Sequence, residues 1–245
     1  MPIDLNADVG EEQGDDAALL PLVTSCNIAC GGHAGGPDTM RRTVELALRV
    51  GVAIGAHPGY ADRANFGRVV VPLSAAAIAG LVHEQLAAIA GVAAAAGATL
   101  RHVKPHGARY NLAARDEAVA DAIAGAVAAF DRRLVLFGLA HSALTAAGQR
   151  AGLAVAHEAF VDRAYEADGS LRARTLPGAV FDDEAQALGQ AVALASGAPI
   201  SAFDGSRLAI RADTLCIHGD TPHALEFARS LRAALANAGI AIAAK

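Results

Sequence analysis

The chain has 245 residues, of which 53% are hydrophobic and 18% are charged, and its formal net charge is −5. This composition allows a large buried core, and a β/α barrel commonly takes about 250 residues. The acidic balance and the lack of a long basic run exclude the electrostatic footprint of a nucleic-acid-binding protein. With 4% aromatic residues and no Trp, a base-stacking surface is not expected either.

Cysteine content and the N-terminus indicate the cellular compartment. An odd number of cysteines, Cys26, Cys30 and Cys216, predicts buried, inert thiols in a reducing compartment rather than a disulfide scaffold. The opening MPIDLNADVGEE lacks the basic and apolar regions of a signal peptide. The Ala-rich stretch 86–98 is too short to cross a bilayer. We therefore predict a cytoplasmic protein with no membrane partner.

Short β-type runs alternate with helical patterns along the chain. The spacing of Met40, Val44 and Leu48 predicts a helix over 37–50 that ends at Gly51, and Ser74 is expected to cap a long helix. Turn signals predict β excursions within 162–180 and 200–211. The other predicted helices are 116–130, 142–152, 183–196 and 222–239, and the predicted strands are 3–6, 23–29, 52–57, 100–104, 134–138, 153–159 and 215–218.

This alternation predicts an α/β fold with a parallel sheet and helices outside it. About seven strand–helix units favour a closed or nearly closed TIM-like barrel of about seven parallel strands. We expect a single domain over residues 1–245. A doubly wound open sheet remains an alternative at this stage.

Polar side chains follow nearly every predicted strand. The carboxyl ends of parallel barrel strands meet at one face, where the active site lies. Burying so many ionisable groups without a purpose would be costly, so the sequence predicts a functional site at this face. The residues concerned are Asn6, Asp8, Glu11, Asn27, His33, His57, Lys104, His106, Glu158, Asp162, Arg163, His218 and Asp220.

The residues alone leave the chemistry of this site open. Asp8 with His33, His57 or His106 can bind a divalent metal ion. The same groups without a metal can run acid–base catalysis on an amide. Lys104 can stabilise an oxyanion or a phosphoryl oxygen. These alternatives all place hydrolytic or phosphoryl chemistry at the barrel mouth.

Two further patterns bear on binding. His102 and His106 are four residues apart, but His102 begins a strand that should carry it away from the strand ends. The chain has no P-loop sequence, and GGHAGG does not match the dinucleotide-binding pattern. A self-contained nucleotide site of either type is therefore not expected.

Six motifs resemble those of the LamB/YcsF family, in the same order and over nearly the whole chain: IDLNADVGE, NIACGGHAGGP, GVAIGAHPGYADRANFGR, HVKPHGARYN, FVDRAYEADGSLRAR and CIHGDTP. The resemblance implies a distorted seven-stranded barrel related to the glycoside hydrolase/deacetylase superfamily. It also implies the A subunit of an ATP-dependent 5-oxoprolinase. With two further subunits, of B and C type, that enzyme opens 5-oxo-L-proline to L-glutamate while hydrolysing ATP.

The resemblance also suggests roles for the polar set. Asp8 or a histidine is the expected base for water, and His57 or His106 the acid for the leaving nitrogen. Lys104 and Arg163 are expected to hold carboxylate or phosphoryl oxygens. The residues expected to bind substrate are Asn6, Glu11, Asn27, His33, Glu158, Asp162, Arg163, His218 and Asp220.

Some features stay open under this resemblance. ATP is expected as co-substrate, and the sequence does not determine which subunit binds it. A bound divalent metal and a homo-oligomeric state are both left open. Ala7, Gly32 and Gly36 stand where the family commonly has a Cys, an aromatic residue and an acid, so the loop around His33 is expected to be looser. The competing interpretations are a stand-alone metal-dependent deacetylase or amidohydrolase, and a non-catalytic subunit that binds 5-oxoproline.

Overall fold

A computed structural model describes residues 2–217 and 223–245. Seven of its strands are parallel and close into a barrel, in which β9 pairs with both β6 and β1. The strands β7 and β8 form a separate antiparallel hairpin. In chain order the strands are β1 (Asp4–Val9), β2 (Ser25–Ala29), β3 (Ala53–His57), β4 (His102–Val103), β5 (Val135–Leu139), β6 (Ala154–Phe160), β7 (Ile200–Ser201), β8 (Arg207–Leu208) and β9 (Thr214–Ile217).

Helices alternate with the barrel strands, as the sequence predicts. Short 3₁₀ turns at Leu20–Leu22 and Arg63–Asn65 complete the connections. The helices of the described residues are α1 (Asp16–Leu19), α2 (Pro37–Val50), α3 (Ala75–Ala95), α4 (Gly107–Ala113), α5 (Glu117–Phe130), α6 (Ala143–Arg150), α7 (Glu184–Ser196) and α8 (Ala224–Asn237).

The predicted TIM-like barrel is confirmed, and the open-sheet alternative is wrong. The helix predicted over 37–50 has the bounds observed for α2, and the Ser74 side chain accepts a hydrogen bond from the backbone N–H of Ala77 at the start of α3. The strand predicted at 3–6 instead runs on to Val9, which places Asp8 inside a strand. Residues 218 and 222, which end the last predicted strand and begin the last predicted helix, lie outside the described residues.

Helix α3 has the length and apolar composition of a membrane span, alone among the helices of the described chain. Its apolar residues Ile78, Val82, Leu86 and Ile89 recur at helical spacing and are buried in the core. α3 packs against α2 and α5 on the outside of the barrel. The buried share of its apolar window is 28%, so α3 has one face in the core and its other faces largely exposed.

The first strand divides its side chains between two environments. Leu5, Ala7 and Val9 join the apolar core under the helices. The alternate residues Asp4, Asn6 and Asp8 point into the barrel and accept hydrogen bonds from polar side chains of the neighbouring strand β2. The barrel interior is therefore lined by polar side chains along this strand, up to the carboxyl end of the barrel.

Gly55 in β3 leaves space for the ring of His102, its register partner on the neighbouring strand β4. A Cβ on Gly55 would lie 2.1 Å from His102 Nε2, and the buried ring is stacked on Phe137. Gly55→Ala should therefore lower the free energy of unfolding by about 3 kcal/mol through overpacking. Gly80→Ala in α3 is the matched control, because no atom lies within 4 Å of the added methyl group.

Urea unfolding of both variants tests this expectation. Gly80→Ala should raise stability by up to about 1 kcal/mol, since alanine is the better helix former. Equal effects of the two substitutions would show that the space at Gly55 is not occupied as described.

Candidate functional site

A hydrogen-bonded layer closes the lower part of the barrel. Asp4 Oδ1 accepts from the hydroxyls of Thr24 and Ser25, each at 2.7 Å, and Asp4 Oδ2 accepts from Thr214 at 2.5 Å. The Thr214 hydroxyl in turn accepts from Asn6 Nδ2 at 2.7 Å. Burial raises the pKa of Asp4 despite these hydrogen bonds. This layer fixes the Asn6 amide so that its oxygen faces upward.

The next layer orients Asp8. Asn27 Nδ2 donates to Asn6 Oδ1 and to Asp8 Oδ1, both at 2.8 Å, and Asn27 Oδ1 accepts from His102 Nε2 at 2.8 Å. Burial lowers the pKa of His102 to about 3, so this ring stays neutral. His102 thus lies in the barrel interior, apart from the histidines at the mouth. Its hydrogen bond to Asn27 was not predicted from the sequence. One oxygen of Asp8 is held by this layer.

Lys104 occupies the centre of the barrel. Its side chain is 3% exposed. Burial alone would lower the pKa of the ammonium, but Asp8 and the other acceptors raise it well above its ordinary value. The charge is therefore already engaged within the barrel. Its contacts from Nζ are Glu158 Oε1 at 2.8 Å, Asp8 Oδ1 at 3.0 Å, Asn6 Oδ1 at 3.2 Å and Cys216 Sγ at 3.2 Å.

Four side chains from four strand ends converge above this layer, and we call them the mouth cluster: Glu11, His33, His57 and His106. Their potential ligand atoms all lie within 4.8 Å of one another. Glu11 Oε1 is the common partner of the three rings. It lies 3.0 Å from His33 Nε2, 3.2 Å from His106 Nδ1 and 3.7 Å from His57 Nε2.

The backbone fixes the orientation of two of these rings. His57 Nδ1 donates to the carbonyl of Lys104 at 2.7 Å. His106 Nε2 donates to the carbonyl of Phe66 at 2.8 Å. The remaining nitrogens, His57 Nε2 and His106 Nδ1, therefore face each other at 3.0 Å.

Two carboxylates at the mouth stay ionised. Burial would raise the pKa of Asp8, but His57 and Lys104 hold it well below its usual value. Burial would likewise raise the pKa of Glu11, but hydrogen bonds from His106 and His33 lower it to about 2. Both side chains are therefore negatively charged at neutral pH, and Lys104 lies beside the first of them.

The rings of the mouth cluster differ in basicity. Burial would lower the pKa of His57, but Asp8, 3.3 Å from its Nε2, raises it above the ordinary value. Burial lowers the pKa of His33 to about 4 despite its contact with Glu11. Asp8 and His57 thus form a base and an acid side by side, and the ring of His33 stays neutral.

The remaining predicted residues have different positions. Glu158 is fully buried below the mouth, where it pairs with Lys104. Arg163 donates hydrogen bonds from Nε to the carbonyl of Ala179 and from a terminal nitrogen to the carbonyl of Arg172. These bonds stabilise the 162–180 excursion. Asp162 adjoins that excursion. His218 and Asp220 lie outside the described residues.

Gly10 explains why Glu11 reaches the histidines. Its φ of +69° lies in the left-handed region that glycine tolerates, and its N–H donates to Asp16 Oδ2 at 2.8 Å. The turn directs the next side chain, Glu11, back over the barrel mouth. Hydrophobic periodicity does not predict such a turn. The sequence signal for it is the glycine that directly follows β1.

Arg109 on α4 is a buried cation for which sequence reasoning gave no role. It is fully buried over the Tyr60 ring, and the Tyr60 side chain, rather than a carboxylate, is the partner that raises its pKa. Burial lowers its pKa to about 10. Arg109→Met should therefore raise the free energy of unfolding by about 2 kcal/mol, because a poorly paired buried charge is replaced by apolar volume.

Chemical denaturation of wild type and variant tests this prediction. Arg49→Met on α2, an exposed arginine, serves as the control and should change stability by less than about 0.5 kcal/mol. A destabilised Arg109→Met variant would mean that the guanidinium is better compensated than its contacts suggest.

The chain matches a known protein family over nearly its whole length. The sequence model of the LamB/YcsF family matches residues 3–245. The chain belongs to the LamB/YcsF family. A LamB/YcsF relative from Methylococcus capsulatus, named as the A subunit of 5-oxoprolinase, is 53% identical over 99% of this chain and 95% of its own. One of the same name from Chloroflexus aggregans is 52% identical over 99% and 98%.

Solved structures agree with the fold. The lactam utilization protein from Thermus thermophilus has a TM-score of 0.94 and 43% identity, with full coverage of both chains. A β-N-acetylhexosaminidase from Streptomyces coelicolor has a TM-score of 0.52 at 13% identity, over 100% of this chain and 66% of that one. This second likeness concerns the fold alone.

Proposed function

We propose that this chain is the A subunit of an ATP-dependent 5-oxoprolinase that opens 5-oxo-L-proline to L-glutamate. Relatives about half identical over nearly the whole chain carry that name. The observation that carries the proposal in this chain is the contact between ionised Asp8 and His57, 3.3 Å apart at the barrel mouth. Opening an amide needs a base for water and an acid for nitrogen in such proximity.

The substrate explains the need for ATP. A five-membered lactam is an unstrained amide, so its hydrolysis has little driving force near neutral pH. Transfer of the γ-phosphoryl group to the amide oxygen makes the ring carbon electrophilic and releases ADP. Water then adds to that carbon, and the C–N bond breaks as the nitrogen takes a proton. The product of this step is an acyl phosphate, and a second water hydrolyses it to glutamate and inorganic phosphate.

The site divides these tasks among its own residues. Asp8 Oδ1 is held by Lys104 and Asn27, and Oδ2, which lies 3.3 Å from His57 Nε2, is the oxygen that takes a proton from water. His57, held by a backbone carbonyl, carries the proton that the leaving nitrogen needs. Binding of anionic substrate oxygens by Lys104 and Arg163 stays a prediction, and both cations already have partners in this structure.

ATP and partner subunits belong to the same proposal. We assign ATP binding to the assembled enzyme, because the sequence lacks a P-loop. B- and C-type subunits would complete the assembly around 5-oxo-L-proline. A cytoplasmic location and a homo-oligomer remain predictions.

Reconstitution tests the proposal. Glutamate is measured after 5-oxo-L-proline and ATP are added to this chain, to the two partner subunits, and to all three together. We expect glutamate only from the complete mixture, with one ADP formed for each glutamate. Glutamate from this chain alone would place a complete nucleotide site in it. No glutamate from any mixture of folded subunits would refute the proposal.

A second candidate is a stand-alone metal-dependent amidohydrolase or deacetylase, favoured by the three histidines and Glu11 of the mouth cluster. It predicts acetate release from an N-acetylated sugar by this chain alone, without ATP. Acetate release that is independent of the partner subunits would favour this candidate over the first.

A further inference from the structure

Most of the large hydrophobic side chains that stay exposed belong to segments around the barrel mouth. Within the described part of the chain, seven such side chains are 39% to 51% exposed, and two of them, Leu48 and Val50, lie at the end of helix α2. We call the other five the rim residues: Val69, Val70, Leu176, Val180 and Phe203. Grouped exposed apolar side chains are typical of a surface that binds a partner.

The first rim segment is the loop 58–73 between β3 and α3, which contacts the mouth cluster. The Phe66 ring lies edge-on against His106, with centroids 5.4 Å apart, and the Phe66 carbonyl accepts the hydrogen bond from His106 Nε2. Val69 and Val70, three and four residues further on, are 51% and 48% exposed. One loop therefore contacts the site and also presents apolar side chains to solvent.

The second rim segment is the 162–180 excursion, which follows the carboxyl end of β6. It carries the exposed residues Leu176 and Val180. Phe203 of the β7–β8 hairpin packs on this excursion, because its N–H donates to the Tyr165 carbonyl at 2.7 Å. β3 and β6 lie on opposite sides of the closed barrel. A surface that contacts both rim segments therefore spans the mouth.

The rim segments are more basic than the chain as a whole. Residues 58–73, 162–180 and 200–211 carry seven arginines and five acidic residues, whereas the whole chain has 20 basic and 25 acidic residues. The Arg172 guanidinium lies over the exposed Phe203 ring, 3.5 Å from its centroid. Aromatic and arginine side chains are enriched in protein interfaces. The complementary surface is therefore apolar, with an excess of acidic side chains.

The chemistry of the proposed function indicates which partner covers the rim. Phosphoryl transfer needs the γ-phosphate of ATP within bonding distance of the amide oxygen, and the lactam is placed beside Asp8 and His57. ATP is assigned to the assembled enzyme, because this chain lacks a P-loop. The subunit that presents ATP must then approach this chain from the mouth.

We propose that the rim residues bind the 5-oxoprolinase subunit that presents ATP, through an apolar and acidic surface of that subunit. Its docking covers the mouth and keeps bulk water from competing with the lactam for the phosphoryl group. The identity of the occupant rests on the proposed function, and the place of docking rests on the exposed side chains. The rim residues themselves contact neither the lactam nor the reacting atoms.

The test measures binding in the absence of ATP and lactam. The two partner subunits are immobilised together, and association of this chain is followed by biolayer interferometry. Val69→Glu combined with Val70→Glu, and separately Leu176→Glu, should each weaken binding by at least about 30-fold, because carboxylates then face an acidic, apolar surface. Leu48→Glu combined with Val50→Glu is the matched control on α2 and should change binding by less than about twofold. Circular dichroism checks that each variant is folded.

The same variants separate docking from chemistry. In the three-subunit mixture, the concentration of the Val69→Glu/Val70→Glu chain that gives half-maximal glutamate formation should rise by the factor that its binding loses. Its rate at saturation should stay within about threefold of wild type. Hydrogen exchange of the wild-type chain needs no variant, and the amides of residues 66–71 should exchange more slowly in the complex.

Three results would overturn the proposal: no binding of the wild-type chain, wild-type binding by the rim variants, or an equal loss in the α2 control. Sedimentation tests a second copy as the occupant. A wild-type dimer that Val69→Glu/Val70→Glu converts to a monomer with unchanged partner binding would also overturn it. If the rim variants lose binding but no mixture forms glutamate, the docking surface is supported and the proposed function fails, so the two failures are distinguishable.

Discussion

Lys104→Met should abolish glutamate formation by the reconstituted enzyme and lower the free energy of unfolding by about 4 kcal/mol. The ammonium lies 2.8 Å from Glu158 and 3.0 Å from Asp8, and Glu158 is fully buried. Removing it leaves one carboxylate uncompensated in the barrel and releases Asp8 from its position. Urea unfolding measures the first effect, and glutamate release the second.

Two further variants separate charge burial from catalysis. Adding Glu158→Gln to Lys104→Met should recover much of the lost stability, since no unpaired charge remains, but it should not recover turnover. Arg150→Met breaks the exposed pair with Asp121 and should cost less than about 1 kcal/mol. If Lys104→Met lowered the free energy of unfolding no more than Arg150→Met does, the ammonium would not stabilise the buried carboxylates.

His106→Ala should reduce glutamate formation by at least about 1,000-fold. Its Nδ1 faces His57, the proposed acid, and Glu11, the common partner of the three rings, so the substitution removes a group that contacts both. The assay is glutamate release by the three-subunit mixture, with size-exclusion chromatography to confirm assembly. His83→Ala, on the outer helix α3, should retain full turnover.

Retained turnover in His106→Ala, within about threefold of wild type, would remove the ring from the reaction. A variant that assembles with its partners and binds 5-oxo-L-proline but forms no glutamate would instead place the ring in the chemical step.

The sequence was sufficient for the barrel and for the face on which the site lies. Helix α2 and the capping of α3 by Ser74 follow from local periodicity and side-chain hydrogen bonding, which need no information about distant residues. The convergence of Asp8, His57 and His106 follows from the parallel strand order, because each lies in the last residues of a strand or in the loop that follows it.

The pairing of these groups could not be predicted, since it depends on which strands become neighbours across the closed barrel. The contact between Lys104 and Glu158 joins β4 to β6 through the interior. The role of Glu11 depends on the left-handed turn at Gly10. Arg163 donates to two carbonyls of its own excursion, which carries no periodic signal, and its predicted role in substrate binding stays a prediction.

The central claim is that the barrel mouth of this chain is where the lactam ring is opened. The most direct measurement is glutamate release from 5-oxo-L-proline and ATP by the two partner subunits, before and after this chain is added. We predict no glutamate before the addition and steady formation after it, with none when the His106→Ala chain is added instead. Glutamate formed at the same rate without this chain, or equally with the His106→Ala chain, would contradict the account.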